Sequence, residues 1–121
     1  MRKYKAGGGG GGAWRRLAAQ LRAALADHLA TGKPPRVPIA GVPIWQAFAL
    51  ASSERGFSDA GPHPLRLDDV QRHGAAIGFP MAARHLEIIR ALDGDWREAI
   101  AKPRGAAPLP LTPEMFDAML G

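Results

Sequence analysis

The stretch that decides the fold is residues 13–31, which read AWRRLAAQLRAALADHLAT. Large apolar side chains recur there every three or four residues, which is the spacing of one face of an α-helix. These positions are Trp14, Leu17, Leu21, Leu25 and Leu29. Alanine, the best helix former, fills many of the gaps. Gly32 suits the position after a helix and Pro34-Pro35 prevents continuation, so the pattern predicts an amphipathic helix over 13–31.

Residues 43–102 predict a helical core domain. Its second helix begins at Pro43 and ends near Arg55, because proline suits the first helical position. A loop over 56–65 leads to a short third helix from Asp68 to Gly78. The fourth helix runs from about Pro80 to Lys102, and Gly94 inside it costs about 1 kcal/mol relative to alanine. We therefore expect a kink or a break at Gly94.

The segments around these helices have the composition of linkers. Residues 1–12 are a basic stretch followed by six glycines, which predicts a flexible arm. Residues 32–42 form a proline-rich linker. Residues 103–121 comprise another linker and a short C-terminal helix. The predicted fold class is all-α, a small bundle of four to five short helices with a flexible Gly-rich basic N-terminal arm.

Length and composition narrow the class of protein. The chain has 121 residues, the size of one domain, and no cysteine, which fits a reducing compartment. No apolar run is long enough to span a bilayer. The N-terminus is basic, but glycines stand where a signal peptide would have its apolar region. The expected location is the cytoplasm, with no membrane contact.

Charge is concentrated in the N-terminal third. Residues 1–36 hold eight Lys/Arg and one acid, a balance of +7, whereas residues 37–121 hold eight basic and ten acidic residues, a balance of −2. A basic segment of this kind can contact nucleic acid, an acidic protein or a membrane surface, or it can be a solvated tail that only aids solubility. Both interpretations stay open. The candidate phosphate contacts are Arg2, Lys3, Lys5, Arg15, Arg16 and Arg22.

No catalytic, cofactor or metal site is expected. The four histidines are scattered along the chain, whereas zinc needs three or four convergent ligands. Asp93 falls within the apolar pattern of the fourth helix, and a buried acid is usually paired. We expect it to cap a loop or to pair with Arg55. The residues predicted to hold the central fold together are Trp45, Phe48, Arg55, Asp93 and Trp96.

The C-terminal helix needs a surface to dock on. Thr112 is a suitable N-cap, Pro113 suits the first position, and eight residues do not make a stable isolated helix. The surface can belong to the chain itself or to a partner, and the leucine face of helix 13–31 leaves the same two alternatives. The predicted partner contacts are Trp14, Leu17 and Leu21 on the first helix, and Phe116, Met119 and Leu120 on the last.

A family resemblance is carried by residues 43–100. These include PIWQAFALASSERGF at 43–57, GPHPL at 61–65 and HLEIIRALDGDW at 85–96. The layout is a Trp-x-x-Phe helix, an Arg-Gly turn, a Gly-Pro loop and a helix with Leu-Asp before an aromatic residue. It resembles small proteins from the tail-gene region of long-tailed phages and prophages, described as tail assembly chaperones. The closing LTPEMFDA at 111–118 is also similar to theirs.

The resemblance implies a non-enzymatic role in which the protein coats or recruits the tape-measure protein while tail-tube subunits polymerise. The expected partners are therefore phage tail proteins, namely the tape measure and the tail tube. The alternative is a small nucleic-acid-binding protein that uses the basic N-terminal arm. The oligomeric state is left open.

Overall fold

The computed structural model describes the backbone of residues 5–102 and the side chains of residues 12–102. It confirms an all-α fold, a small bundle of helices with one minimal hairpin. The helices are α1 (Lys5–Thr31), α2 (Val42–Ser53), α3 (Leu67–Ala76) and α4 (Ala83–Ala101). A 3₁₀ turn (Ile39–Gly41) precedes α2, and β1 (Phe57–Ser58) pairs antiparallel with β2 (Gly61–Pro62).

Helix α1 is longer than the sequence indicates. Its backbone is helical from Lys5, so the glycine run at 7–12 lies inside the helix, whereas the prediction placed it in a flexible arm. Each residue added to an existing helix gains one backbone hydrogen bond without a new nucleation step, and the alanine- and leucine-rich segment after Gly12 supplies that existing helix. The C-terminal end agrees with the prediction, because Gly32 takes a φ of 74° and its N–H donates to the carbonyl of His28.

The leucine face of α1 packs inside the chain's own core. Leu17 is 8% exposed and Leu21 and Leu25 are fully buried, as α1 packs on α4 and on the 3₁₀ turn. The prediction that Leu17 and Leu21 contact a partner is therefore wrong for these two residues. The physical reason is that burial in their own core removes the same apolar surface from water that a partner would have covered.

The chain between α1 and α2 approaches α1 closely. A Cβ placed on Gly41 would lie 2.7 Å from Cδ2 of Leu21, so only glycine allows this distance. On the other side, the buried imidazole of His28 donates through Nδ1 to the carbonyl of Lys33 at 2.7 Å. Residues 32–42, predicted as a linker, are thus fastened to α1 at both ends.

Helix α2 supplies the largest side chains of the core. Trp45 and Phe48 are almost completely buried and meet edge to face, and α2 packs on both α3 and α4. From α4, Ile89, Leu92 and Trp96 complete the interior. Trp14 and Phe79 pack against its edge, half-buried.

Helix α4 runs unbroken from Ala83 to Ala101, so the kink or break expected at Gly94 is absent from it. The loop predicted over 56–65 contains the β1–β2 hairpin, in which Phe57 pairs with Pro62. Helix α3 ends at Ala76, and Gly78, with a φ of 78°, reverses the chain toward α4.

Candidate functional site: a groove on α4

Asp93 on α4 and Arg55 after α2 form a buried ion pair that joins parts of the described bundle. Asp93 is 4% exposed, and its Oδ1 lies 2.6 Å from Nη1 of Arg55, whose side chain is 1% exposed. The guanidinium of Arg55 also stacks on the ring of Trp96, 4.1 Å from its centroid. Burial lowers the pKa of Arg55 from its ordinary value, while the hydrogen bond and charge of Asp93 act in the opposite direction. Asp93 does pair with Arg55.

Asp93 also holds the loop that precedes α3. Its Oδ2 accepts from the backbone N–H of Leu65 at 3.2 Å and from Nε of Arg97 at 3.0 Å, while Arg55 donates to the carbonyl of His63 at 2.8 Å. Both roles considered for Asp93, loop cap and ion pair, therefore occur together. Trp45, Phe48, Arg55, Asp93 and Trp96 all lie where they hold the bundle together.

Trp14 lies at a second junction, between α1 and the start of α4. Its ring meets that of His85 edge-on at 5.0 Å, and the guanidinium of Arg84 lies 4.9 Å from its centroid. His85 also contacts Phe79, and its Nδ1 accepts from the backbone N–H of Ala82 at the N-terminus of α4. Trp14 thus has neighbours within the chain, although it is half-buried rather than enclosed.

The remaining predicted partner contacts, Phe116, Met119 and Leu120, lie outside the described residues. So do Arg2 and Lys3 among the candidate phosphate contacts, and Lys5 is described in its backbone alone. Arg15 and Arg16 are exposed on α1. Arg22 instead makes a two-pronged ion pair with Asp95 at 2.8 and 2.9 Å, which raises its pKa and holds α1 to α4. Its charge is therefore not available to a phosphate without breaking that pair.

The face of α4 turned away from α1 carries an apolar groove, which we call the α4 groove. It has a volume of about 520 Å³. Its lining residues are Leu67, Ala83, Leu86, Glu87, Arg90 and Ala91. At Leu67 and Arg90 it continues into a hollow bordered by Pro64, Leu65 and Arg97. Leucine and alanine supply the floor, and charged side chains stand at the rim.

Sequence reasoning missed this groove. Of its lining residues, Leu86 lies at the start of the apolar pattern of α4, whose later members Ile89, Leu92 and Trp96 are buried. Leu67 immediately precedes Asp68 and Asp69 at the start of α3, and it is the residue from which the groove could have been predicted. Val70, three residues later in α3, is fully buried, whereas Leu67 stands half-exposed beside α4.

A smaller groove lies between α1 and the C-terminal half of α4. Its volume is about 220 Å³, and its apolar wall is formed by Leu25, Leu29 and Ala99. Asp95, Glu98 and Lys102 stand around it. Both grooves therefore flank α4, but the smaller one carries two carboxylates and one lysine, whereas the α4 groove carries Arg90 and Glu87.

Within residues 12–102, no three His, Asp or Glu side chains come together in a way that could hold a metal ion. None of the helices in the described part of the chain combines the length and apolarity needed to cross a bilayer. Comparison with family models, with curated proteins and with solved structures found no match to this chain.

Proposed function

We propose that the protein is a non-enzymatic morphogenesis factor of the tail assembly chaperone type, which binds a helical segment of a phage tail protein. The tape measure is the preferred partner and the tail tube the second. The observation that carries the proposal is the α4 groove, together with the family resemblance of residues 43–100. The bound segment lies in the α4 groove, between Leu67 of α3 and Arg90 of α4.

The shape of the groove suits a helix. An amphipathic helix binds a protein by laying its apolar face into a groove of this kind, with anchors three or four residues apart. Helix α4 is a rigid wall for it, because Ile89, Leu92 and Trp96 fix its opposite face in the core. A rigid groove lowers the entropy that has to be lost on binding.

The charge of the groove indicates an acidic partner. Arg90 and Glu87 stand at the groove itself, and Arg97 and Asp93 border the adjoining hollow. Because Asp93 pairs with both Arg55 and Arg97, these described side chains leave an excess of one positive charge. This positive rim stands on a body whose residues 37–121 carry a balance of −2. Complementary charge steers the encounter and sets the register of binding.

The test is capture of the tape-measure and tail-tube proteins by the tagged chain when they are co-expressed. Ala91→Arg fills the groove and Arg90→Glu reverses its charge, and we expect either change to lower capture about tenfold or more. Arg15→Glu makes the same charge reversal on an exposed part of α1 and serves as the matched control. Unchanged capture by both groove variants would contradict the proposal.

A second candidate function, nucleic-acid binding, is favoured by the exposed pair Arg15 and Arg16 on α1. Neither forms an ion pair with any residue of the described part. Phosphate binding weakens steeply with salt because counterions are released. In that case Arg15→Glu, and not Arg90→Glu, would lower binding, and nuclease treatment of the lysate would abolish capture.

A further inference from the structure

We propose that residues 112–120 of this same chain occupy the α4 groove when no partner is bound there. The inference rests on the proposed function in that it assigns an internal competitor to the same groove. It makes the C-terminal segment a regulator of partner binding and not a partner contact in its own right.

The segment has the chemistry that the groove requires. The sequence predicts a helix that Thr112 caps and Pro113 begins, and the spacing of Phe116, Met119 and Leu120 would place them on one face of it. A helix of about nine residues is unstable alone in water. It therefore needs an apolar surface, and the α4 groove is the larger of the two that flank α4.

The connecting chain is long enough. Residues 103–111 separate the segment from Lys102, and nine residues span up to about 30 Å. Arg90 lies twelve residues before Lys102, or about 18 Å along the helix axis. A chain that turns back after α4 thus reaches the groove and runs antiparallel to α4.

Charge selects between the two grooves. The segment carries Glu114 and Asp117, three residues apart and therefore on one side of a helix. In the antiparallel direction, Glu114 comes toward Arg97 and Asp117 toward Arg90. In the smaller groove the same acids would face Glu98, which offsets Lys102, while the charge of Asp95 is balanced by Arg22. The smaller groove therefore has no excess of positive charge to attract them.

Tethering makes the segment an effective competitor. A short flexible linker gives an effective concentration on the order of millimolar, so even weak docking keeps the groove filled. A partner then binds with an affinity reduced by the fraction of chains whose groove is free. If one chain in ten has a free groove, the reduction is about tenfold.

The test is crosslinking within the full chain, which contains no native cysteine. One variant carries Ala91→Cys with Met119→Cys, and the matched variant carries Ala26→Cys with Met119→Cys. Both are treated with a short bismaleimide, and linked peptides are mapped by mass spectrometry. Ala91 lines the α4 groove and Ala26 the smaller one, so the two variants differ only in the groove that they probe.

We expect intramolecular linkage of Cys pairs in the Ala91 variant at several times the yield of the Ala26 variant. Adding Phe116→Ala or Arg90→Glu should lower that yield severalfold, and adding Arg15→Glu should not. Equal yields, a higher yield in the Ala26 variant, or links only between two chains would each overturn the proposal. Because the linkage needs no tail protein, this outcome is independent of whether the proposed function survives its own capture test.

Discussion

At Asp93, donors from three separate parts of the chain converge on one buried carboxylate. Arg55 follows α2, Leu65 precedes α3, and Arg97 lies one turn further along α4. A buried ion pair is weak evidence of stability as a whole, but removing one partner leaves the other as an uncompensated buried charge. The junction therefore makes the loop over residues 56–65 depend on α4.

We expect Asp93→Ala to lower the free energy of unfolding by about 3–5 kcal/mol, because Arg55 would stay buried without its counter-charge. The double variant Asp93→Ala with Arg55→Met should lose less than the sum of the two single variants. Urea unfolding of the four proteins measures this. Additive losses would show that the two side chains do not act as a pair.

His85 predicts a dependence of stability on pH. Burial, and then the nearby charge of Arg84, lower the pKa of His85 below 6.5. The folded chain then binds this proton less readily than the unfolded chain does. The contribution of the neutral His85 imidazole to stability is fully present above a pH of about 6.5, which is its ordinary pKa. This contribution is lost as the pH falls toward the lower pKa of His85 in the folded chain.

The matched variant is His85→Gln, because glutamine at the third helical position can accept the N–H of Ala82 without titrating. We expect the Tm of the native chain to fall more than that of His85→Gln between about pH 7 and about pH 5. Thermal unfolding at the two pH values measures the difference. An equal fall in both proteins would contradict a contribution from His85.

At the scale of elements, two helical glycines should respond to alanine in opposite ways. Gly94 in α4 has open space where a Cβ would stand, whereas a Cβ on Gly74 in α3 would lie 2.8 Å from the carbonyl oxygen of Phe79. Gly94→Ala should raise stability by about 0.5–1 kcal/mol through helix propensity. Gly74→Ala should lower it by about 1–3 kcal/mol through overpacking.

Chemical denaturation of both glycine variants measures these changes. Helix content from circular dichroism serves as the control for local helix formation, because propensity alone would favour alanine at both positions. Stabilisation by Gly74→Ala would mean that the turn at residues 77–80 does not approach α3 as closely as the structure shows.

Element boundaries followed from capping chemistry where that chemistry is strong. Gly32 takes a positive φ after α1, at the position predicted for it, Gly78 takes one two residues after α3, and the acids Asp68 and Asp69 stand in the first turn of α3. The start of α1 was not predicted from the sequence. The low helix propensity of glycine favoured a flexible arm over residues 1–12, whereas the backbone is helical from Lys5. The hairpin was missed because two-residue strands carry no alternating pattern.

At the scale of the whole molecule, α1 is part of one cooperative core. Its leucines pack with α2 and α4, and the ion pair between Arg22 and Asp95 closes the same interface. Leu21→Ala should therefore lower the free energy of unfolding of the entire chain by about 2–5 kcal/mol. Arg15→Ala, on the exposed side of the same helix, should change it by less than about 0.5 kcal/mol.

The measurement is unfolding followed by both circular dichroism and tryptophan fluorescence, which should give coincident transitions in Leu21→Ala as in the native chain. Trp14, Trp45 and Trp96 report on α1, α2 and α4 respectively. An early loss of helix signal that is accompanied by only part of the fluorescence change would indicate that α1 unfolds separately, as a free docking helix would.

The sequence by itself determined the fold class and the helices of the core, and it limited Asp93 to two roles, a loop cap or a pair with Arg55. Periodicity and capping are local properties of the chain, and a buried acid requires a counter-charge wherever it lies. Only the tertiary structure decided that Leu17 and Leu21 face inward and that an apolar groove lies beside Leu67 and Leu86. An apolar helix face has the same pattern whether its own chain or a partner covers it, so the choice depends on which elements meet in space.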